Sequence, residues 1–172
     1  SEFVKSAKKE KTLTLIGDSV MLGPRDYLSS NIENLYINAE GSRPLEDGAS
    51  IITQMDQTNN LGDIVIMALG TNAEVTPAPS LEEIVKVLPD GKRLILVTCY
   101  DNRFDQPHRV SVAMNEISKK YDFITVMDWE DYAINHPAFY NGTDGVHFYG
   151  QMEAYESYLK LLNEAIEKSL LS

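Results

Sequence analysis

A single cysteine, Cys99, stands in the 172-residue chain, so no internal disulfide can form. That usage fits a reducing compartment, and equally a bacterial exterior domain that does without disulfides. Long apolar runs are missing as well: no stretch approaches the roughly 18 consecutive apolar residues of a membrane span. No signal-peptide pattern is present. Basic residues are scarce. Fifteen Lys and Arg against 26 Asp and Glu leave a net charge of −11, which speaks against the basic stripe of a nucleic-acid binder. The same charge opposes unaided docking on an anionic lipid surface. The three histidines lack H-E-x-x-H or Cys/His spacing, so neither a metal nor a bound cofactor is expected. No G-x-x-x-x-G-K-[ST] loop awaits nucleotide phosphates, and there is no internal repeat or low-complexity tract.

What is present is the make-up of one globular domain, 43% hydrophobic and 24% charged. Residues 1–11 carry Lys5, Lys8, Lys9 and Lys11 with no initiator Met. They are expected to be a linker or boundary segment, with one domain over 12–172 and the whole cut from something longer. Five β-rich runs follow: Thr12 to Ile16, Leu35 to Asn38, Asp63 to Leu69, Arg93 to Thr98 and Phe123 to Met127. Each is short, apolar and mostly unbroken, as strands buried on both faces are. Helical patterns separate them. Pro44 to Gln57 places Leu45, Ala49, Ile52 and Met55 on one face, and Val110 to Tyr121 does the same with Val110, Met114 and Ile117. Ser80 to Glu83 has capping-box spacing and predicts a helix to about Leu88. Gln151 to Leu171 reads as a long terminal helix. Strand alternating with helix predicts an α/β fold, a mostly parallel five-stranded sheet between two helical layers.

Such a sheet gathers ligand-binding groups at the C-terminal ends of its strands. Ser19, Gly41, Asn72 and the loop after Asp128 all follow predicted strand ends. Gly17-Asp18-Ser19 closes the first run, and a serine at a strand-to-helix turn can serve as nucleophile once a base takes its proton. His147 can be that base, because Asp144 precedes it in the Gly-containing turn Thr143-Asp144-Gly145-Val146-His147. A carboxylate folded back onto Nδ1 would fix the tautomer and leave Nε2 free. Asn72 in Gly70-Thr71-Asn72 offers an amide N–H to an oxyanion, and Gly41-Ser42 offers a backbone N–H beside that of Ser19. His108 and His136 read as surface or structural, and Cys99 as a buried thiol. An α/β-hydrolase elbow needs G-x-S-x-G, but Met21 stands two residues after Ser19. The order Ser, Asp, His also excludes the chymotrypsin arrangement.

These blocks resemble the SGNH (GDSL-type) hydrolase superfamily: Gly17-Asp18-Ser19, Gly41 or Ser42, Gly70-Thr71-Asn72, and Asp144-Gly145-Val146-His147, in order from Thr12 to Ile166. The phrasing Ile16 to Gly23, Ala68 to Asn72, Tyr100-Asp101-Asn102-Arg103 and Asp128-Trp129 is similar to one branch. That branch is the extracellular C-terminal domains of the Gram-positive peptidoglycan O-acetyltransferase A family. The resemblance implies a flavodoxin-like three-layer α/β/α sandwich and a triad of Ser19, Asp144 and His147. It implies an oxyanion hole from Ser19, Gly41 or Ser42, and Asn72. It further implies acetyl transfer to the C6 hydroxyl of N-acetylmuramic acid in peptidoglycan glycan strands, outside the bacterial membrane. The acetyl donor would come from a membrane acyltransferase domain, and the isolated domain is expected to be monomeric. One departure stands out: the branch's second block reads Gly-Arg, and aligning on Arg43 puts Ser42 at the glycine position. An acetyl-carbohydrate esterase, a lysophospholipase or thioesterase, and a non-catalytic glycan-binding domain remain alternatives. Tyr140, Tyr149, Trp129 and Phe148 could stack on a sugar or fill the core.

Overall fold

Every apolar run becomes a strand, in a computed structural model that describes residues 2–73 and 76–172. The strands are β1 Leu13–Gly17, β2 Leu35–Ala39, β3 Ile64–Ala68, β4 Arg93–Val97 and β5 Ile124–Met127. They pair in the order β2-β1-β3-β4-β5, all parallel. The side chains explain why the runs look continuous rather than alternating. Leu13, Leu15, Ile64, Ile66, Ile95 and Val97 feed one core, while Ile16, Val65, Met67, Leu94 and Leu96 feed the other. Successive residues of a strand point to opposite faces, so a strand with two cores is apolar at nearly every position.

The helices are α1 Glu2–Glu10, α2 Arg25–Asn31, α3 Gly48–Gln57, α4 Pro77–Val87, α5 Gln106–Ser118, α6 Trp129–Ile134 and α7 Met152–Leu171. Helices α3, α4 and α5 cover one face; their buried residues Ile52, Met55, Leu81, Ile84, Val110, Met114 and Ile117 share the second core. Leu28 of α2, Ala133 of α6 and Tyr158, Leu162 and Ile166 of α7 share the first. The expected α/β/α sandwich is thus what forms, with the sheet parallel throughout.

The helix ends shift from the predicted ones for identifiable reasons. Helix α4 starts at Pro77, so Ser80 lies inside it rather than capping it. A proline fits the first helical turn because its fixed φ is already helical and no N–H is needed there. Helix α5 likewise starts earlier than the pattern, with Pro107 in its opening turn. A 3₁₀ turn, Leu45–Asp47, precedes α3. The lead-in read as a linker or boundary segment is helical: α1 packs on α7 with Val4 buried, and Lys8 Nζ lies 2.8 Å from Glu167 Oε1.

Leu15 is fully buried in the strand that pairs on both sides. Leu15→Ala should therefore cost about 2–5 kcal/mol of stability, read as a lowered midpoint in urea at unchanged slope.

Candidate active site

Register comes first. Gly17 at the end of β1 lies level with Ala39 of β2 and Ala68 of β3, so three loops leave the sheet at one height. The first opens with Asp18, whose carboxylate accepts from Val20 N–H at 3.0 Å and starts the 3₁₀ turn Ser19–Met21. The short Asp cap turns the chain immediately, leaving Ser19 half-buried at the rim.

His147 reaches the same rim from 128 residues away, with Nε2 at 2.9 Å from Ser19 Oγ. Its Nδ1 lies 2.7 Å from Asp144 Oδ2. The turn between them is self-fastening. Asp144 Oδ1 accepts from Val146 N–H at 3.0 Å and from His147 N–H at 2.9 Å. Gly145 has φ +88°, and a Cβ there would come within 2.1 Å of Asn102 Oδ1. Only glycine meets both demands. Val146 and Phe148 are buried on either side, so alternation along this segment turns His147 outward to Ser19.

The two acidic groups of the site are shifted in opposite directions. Burial tends to raise the Asp144 carboxyl, but hydrogen bonds from the His147 backbone and ring and from Val146 outweigh it and hold it at about 2. It is a carboxylate at any ordinary pH. Asp18 is 1% exposed, and its burial pushes the carboxyl up to about 6 despite the Val20 hydrogen bond and the nearby His147 and Arg43.

The oxyanion candidates converge through a residue the sequence reading used only as a landmark. Arg43, its side chain 9% exposed, donates to Gly17 O at 3.2 Å, Asn38 O at 2.8 Å, Asn38 Oδ1 at 3.0 Å and Glu40 Oε2 at 2.9 Å. Its own carbonyl accepts from Asn72 Nδ2 at 3.3 Å. That leaves the second N–H of the carboxamide for another acceptor. Arg43 thus ties the ends of β1 and β2 to the 40–43 loop through its guanidinium, and that loop to Asn72 through its carbonyl. Gly70, at φ +145°, turns the chain toward Asn72; a Cβ there would collide with Cys99 Sγ at 2.5 Å. The conformation also explains the departure in the second block. Ser42 sits at φ 60°, the left-handed region that glycine occupies freely. Gly41 has open space around it and no such φ.

The remaining candidates lie elsewhere. His108 pairs with Glu130, and His136 stacks on Tyr132. Cys99 is buried, with its thiol raised well above the ordinary value by desolvation. Trp129, Tyr140 and Phe148 are core, joined by a Trp129 Nε1–Tyr140 Oη bond of 3.2 Å. Tyr149 alone of that aromatic group is exposed, and it stacks on the His147 ring. Among the described residues no group of three or more His, Cys, Asp or Glu could hold a metal. The larger hollows, about 540 and 630 Å³, lie at the opposite edge of the sheet, against Leu13, Lys11 and Asn31 or Thr12, Asn34 and Asn60. The cavity adjoining Asp18 and Val20 is only about 20 Å³.

No family model matches the chain. Among solved structures, the C-terminal catalytic domain of peptidoglycan O-acetyltransferase A from Streptococcus pneumoniae superposes with a TM-score of 0.84. It is 30% identical, over 92% of this chain and 94% of that one. The chain belongs to this family of SGNH catalytic domains. Among curated sequences, the putative peptidoglycan O-acetyltransferase YrhL of Bacillus subtilis is 24% identical over 83% of this chain. The O-acetyltransferase OatA of Staphylococcus aureus is 28% identical over 81%. The chain spans about a fifth of those relatives, 22% and 23% of their lengths.

Two substitutions test the geometry. Ser42→Gly should raise stability by about 0.5–1 kcal/mol by removing a left-handed serine, while Gly41→Ala is tolerated, both read by thermal melting. Asp18→Asn tests the buried carboxyl. The folded value of about 6 lies above the ordinary value of 3.8. Stability is therefore greatest where both states hold the proton, falls as pH rises through that window, and stays low above it. At pH 7 the variant, which keeps an acceptor for Val20, should be about 2–3 kcal/mol more stable than the parent, a difference that vanishes near pH 4 in urea titrations.

Proposed function

We propose that this chain is a serine-dependent O-acetyltransferase domain. It moves an acetyl group through acetyl-Ser19 to the C6 hydroxyl of N-acetylmuramic acid in peptidoglycan. The observation that carries the reading is the hydrogen-bonded series Asp144–His147–Ser19, at 2.7 and 2.9 Å on one open rim. His147 Nε2 takes the proton of Ser19 as Oγ attacks the donor's acetyl carbonyl. Asp144, ionised throughout, holds the ring and balances the imidazolium. The backbone N–H of Ser19, that of Gly41 or Ser42, and the Asn72 amide receive the oxyanion. As it collapses, His147 returns the proton to the departing alcohol, leaving acetyl-Ser19. The sugar hydroxyl then loses its proton to His147 and attacks the acetyl carbonyl, and Ser19 recovers its proton.

Site shape supports a polymeric acceptor. Half-buried Ser19 and His147 on an open edge suit a polymeric acceptor that lies across the rim. Relatives named as peptidoglycan O-acetyltransferases support the glycan as acceptor. On this reading the domain, residues 12–172, works as a monomer on the outer face of a bacterial membrane. A membrane acyltransferase portion of a longer protein supplies the acetyl group. No described helix is long and apolar enough to cross a membrane. Water reaching acetyl-Ser19 first would give acetate, so esterase activity accompanies transfer.

The test supplies an activated acetyl ester and a chito-oligosaccharide, with acetylated sugar and acetate followed together by mass spectrometry. The parent should acetylate the sugar, Ser19→Ala should not, and Asn72→Ala should be about 10²–10³ slower. Acetate without sugar product at high acceptor concentration would mark an esterase instead. Equal rates for parent and Ser19→Ala would overturn the catalytic reading.

A further inference from the structure

The bond between Ser19 and His147 has a weakness built into the proposed cycle. It exists while Ser19 Oγ carries a proton, and it is lost once that oxygen is esterified. The histidine must nevertheless stay in place, because it next activates the acceptor hydroxyl. A second tie across the same pair is present. The Tyr149 hydroxyl donates to the carbonyl of Ser19, which also accepts from Leu22 N–H at 3.2 Å. The Tyr149 ring lies over the His147 imidazole, centroids 4.9 Å apart and planes 23° off parallel. The ring also lies close against Gly23, where a Cβ would fall 2.0 Å from Tyr149 Cδ1 and 2.5 Å from Cε1. Neither contact involves Ser19 Oγ. Both survive acylation.

From this geometry we infer that Tyr149 is a positioning residue for the second half of the reaction, holding His147 over acetyl-Ser19 while the acceptor attacks. The inference rests on the serine mechanism above. During acylation the Ser19–His147 bond itself keeps the pair aligned, so Tyr149 adds little. After acylation the Tyr149 tie still links the nucleophile's turn to the histidine's loop. Partial burial, with the charges of Asp144 and Asp18, pushes its phenol above the ordinary value, so it remains a donor around neutral pH. Gly23 belongs to the same device. Its backbone lies outside the left-handed region, so alanine is allowed there by conformation and excluded by the tyrosine ring.

Tyr149→Phe keeps the ring and removes the tie. With 4-nitrophenyl acetate and a chito-oligosaccharide, turnover should fall about tenfold, the effect of one lost hydrogen bond. The rate of Ser19 acylation, read from the pre-steady-state release of nitrophenol, should stay within about twofold of the parent. Acetyl-enzyme, measured by intact-protein mass spectrometry, should therefore accumulate. Gly23→Ala, which displaces the ring, should give the same signature, and Gly23→Ala with Tyr149→Ala should be no worse than Tyr149→Ala alone. Melting temperatures serve as the control for folding. If acylation and turnover fall together, or neither moves, Tyr149 does not act in the second half. If the parent forms no acetyl-enzyme and matches Ser19→Ala, the serine mechanism itself fails, and this inference with it.

Discussion

Everything at the candidate site depends on one register. Because β1 is hydrogen-bonded to β2 on one side and β3 on the other, Gly17, Ala39 and Ala68 end level with one another. A slip of one residue in either ladder would turn a buried side chain to the wrong core and lift one loop away from the others. The two cores forbid that slip, since almost every strand position is apolar and committed to one face. Arg43 then converts level strand ends into a fixed set of loops. Its guanidinium donates to the Gly17 carbonyl, which also accepts from Glu40 N–H, and to the Asn38 carbonyl, clamping the ends of β1 and β2 together.

The site spends part of the stability that the cores supply. Asp18 is a buried carboxylate, with Val20 N–H as a donor, and it makes folding less favourable at neutral pH. Asp144 does the reverse, because three donors converge on it near solvent. Two carboxylates near one histidine therefore play different parts: Asp144 orients the ring, whereas Asp18 shapes the turn that presents Ser19. Strain at Ser42 adds a smaller cost in the loop that Arg43 fastens.

The fold was legible because a parallel sheet writes itself as short unbroken apolar runs, and all five were placed within a residue or so. Ser19, Asp144 and His147 were legible because each sits in a local string whose backbone geometry is nearly self-contained: an Asp-capped turn, and a glycine turn that folds a carboxylate onto the next imidazole. That the strings meet follows from topology alone. What stayed hidden acts across loops. Arg43 reaches atoms of three segments, and nothing beside it in sequence announces that. Tyr149 differs from Trp129, Tyr140 and Phe148 only in which way it faces, and a pattern of aromatics around a histidine does not say which are core. Helix α4 began at Pro77 because a proline's fixed φ took precedence over a side-chain capping signal at Ser80.

The lone thiol has a consequence of another kind. Cys99 is shut beneath Gly70 and beside Leu69 O, and its desolvation keeps it from ionising. The proposed chemistry runs on oxygen and imidazole, so it has no redox-sensitive step. Thiol-directed and disulfide reagents would find neither an accessible nucleophile to consume nor a bridge to rearrange.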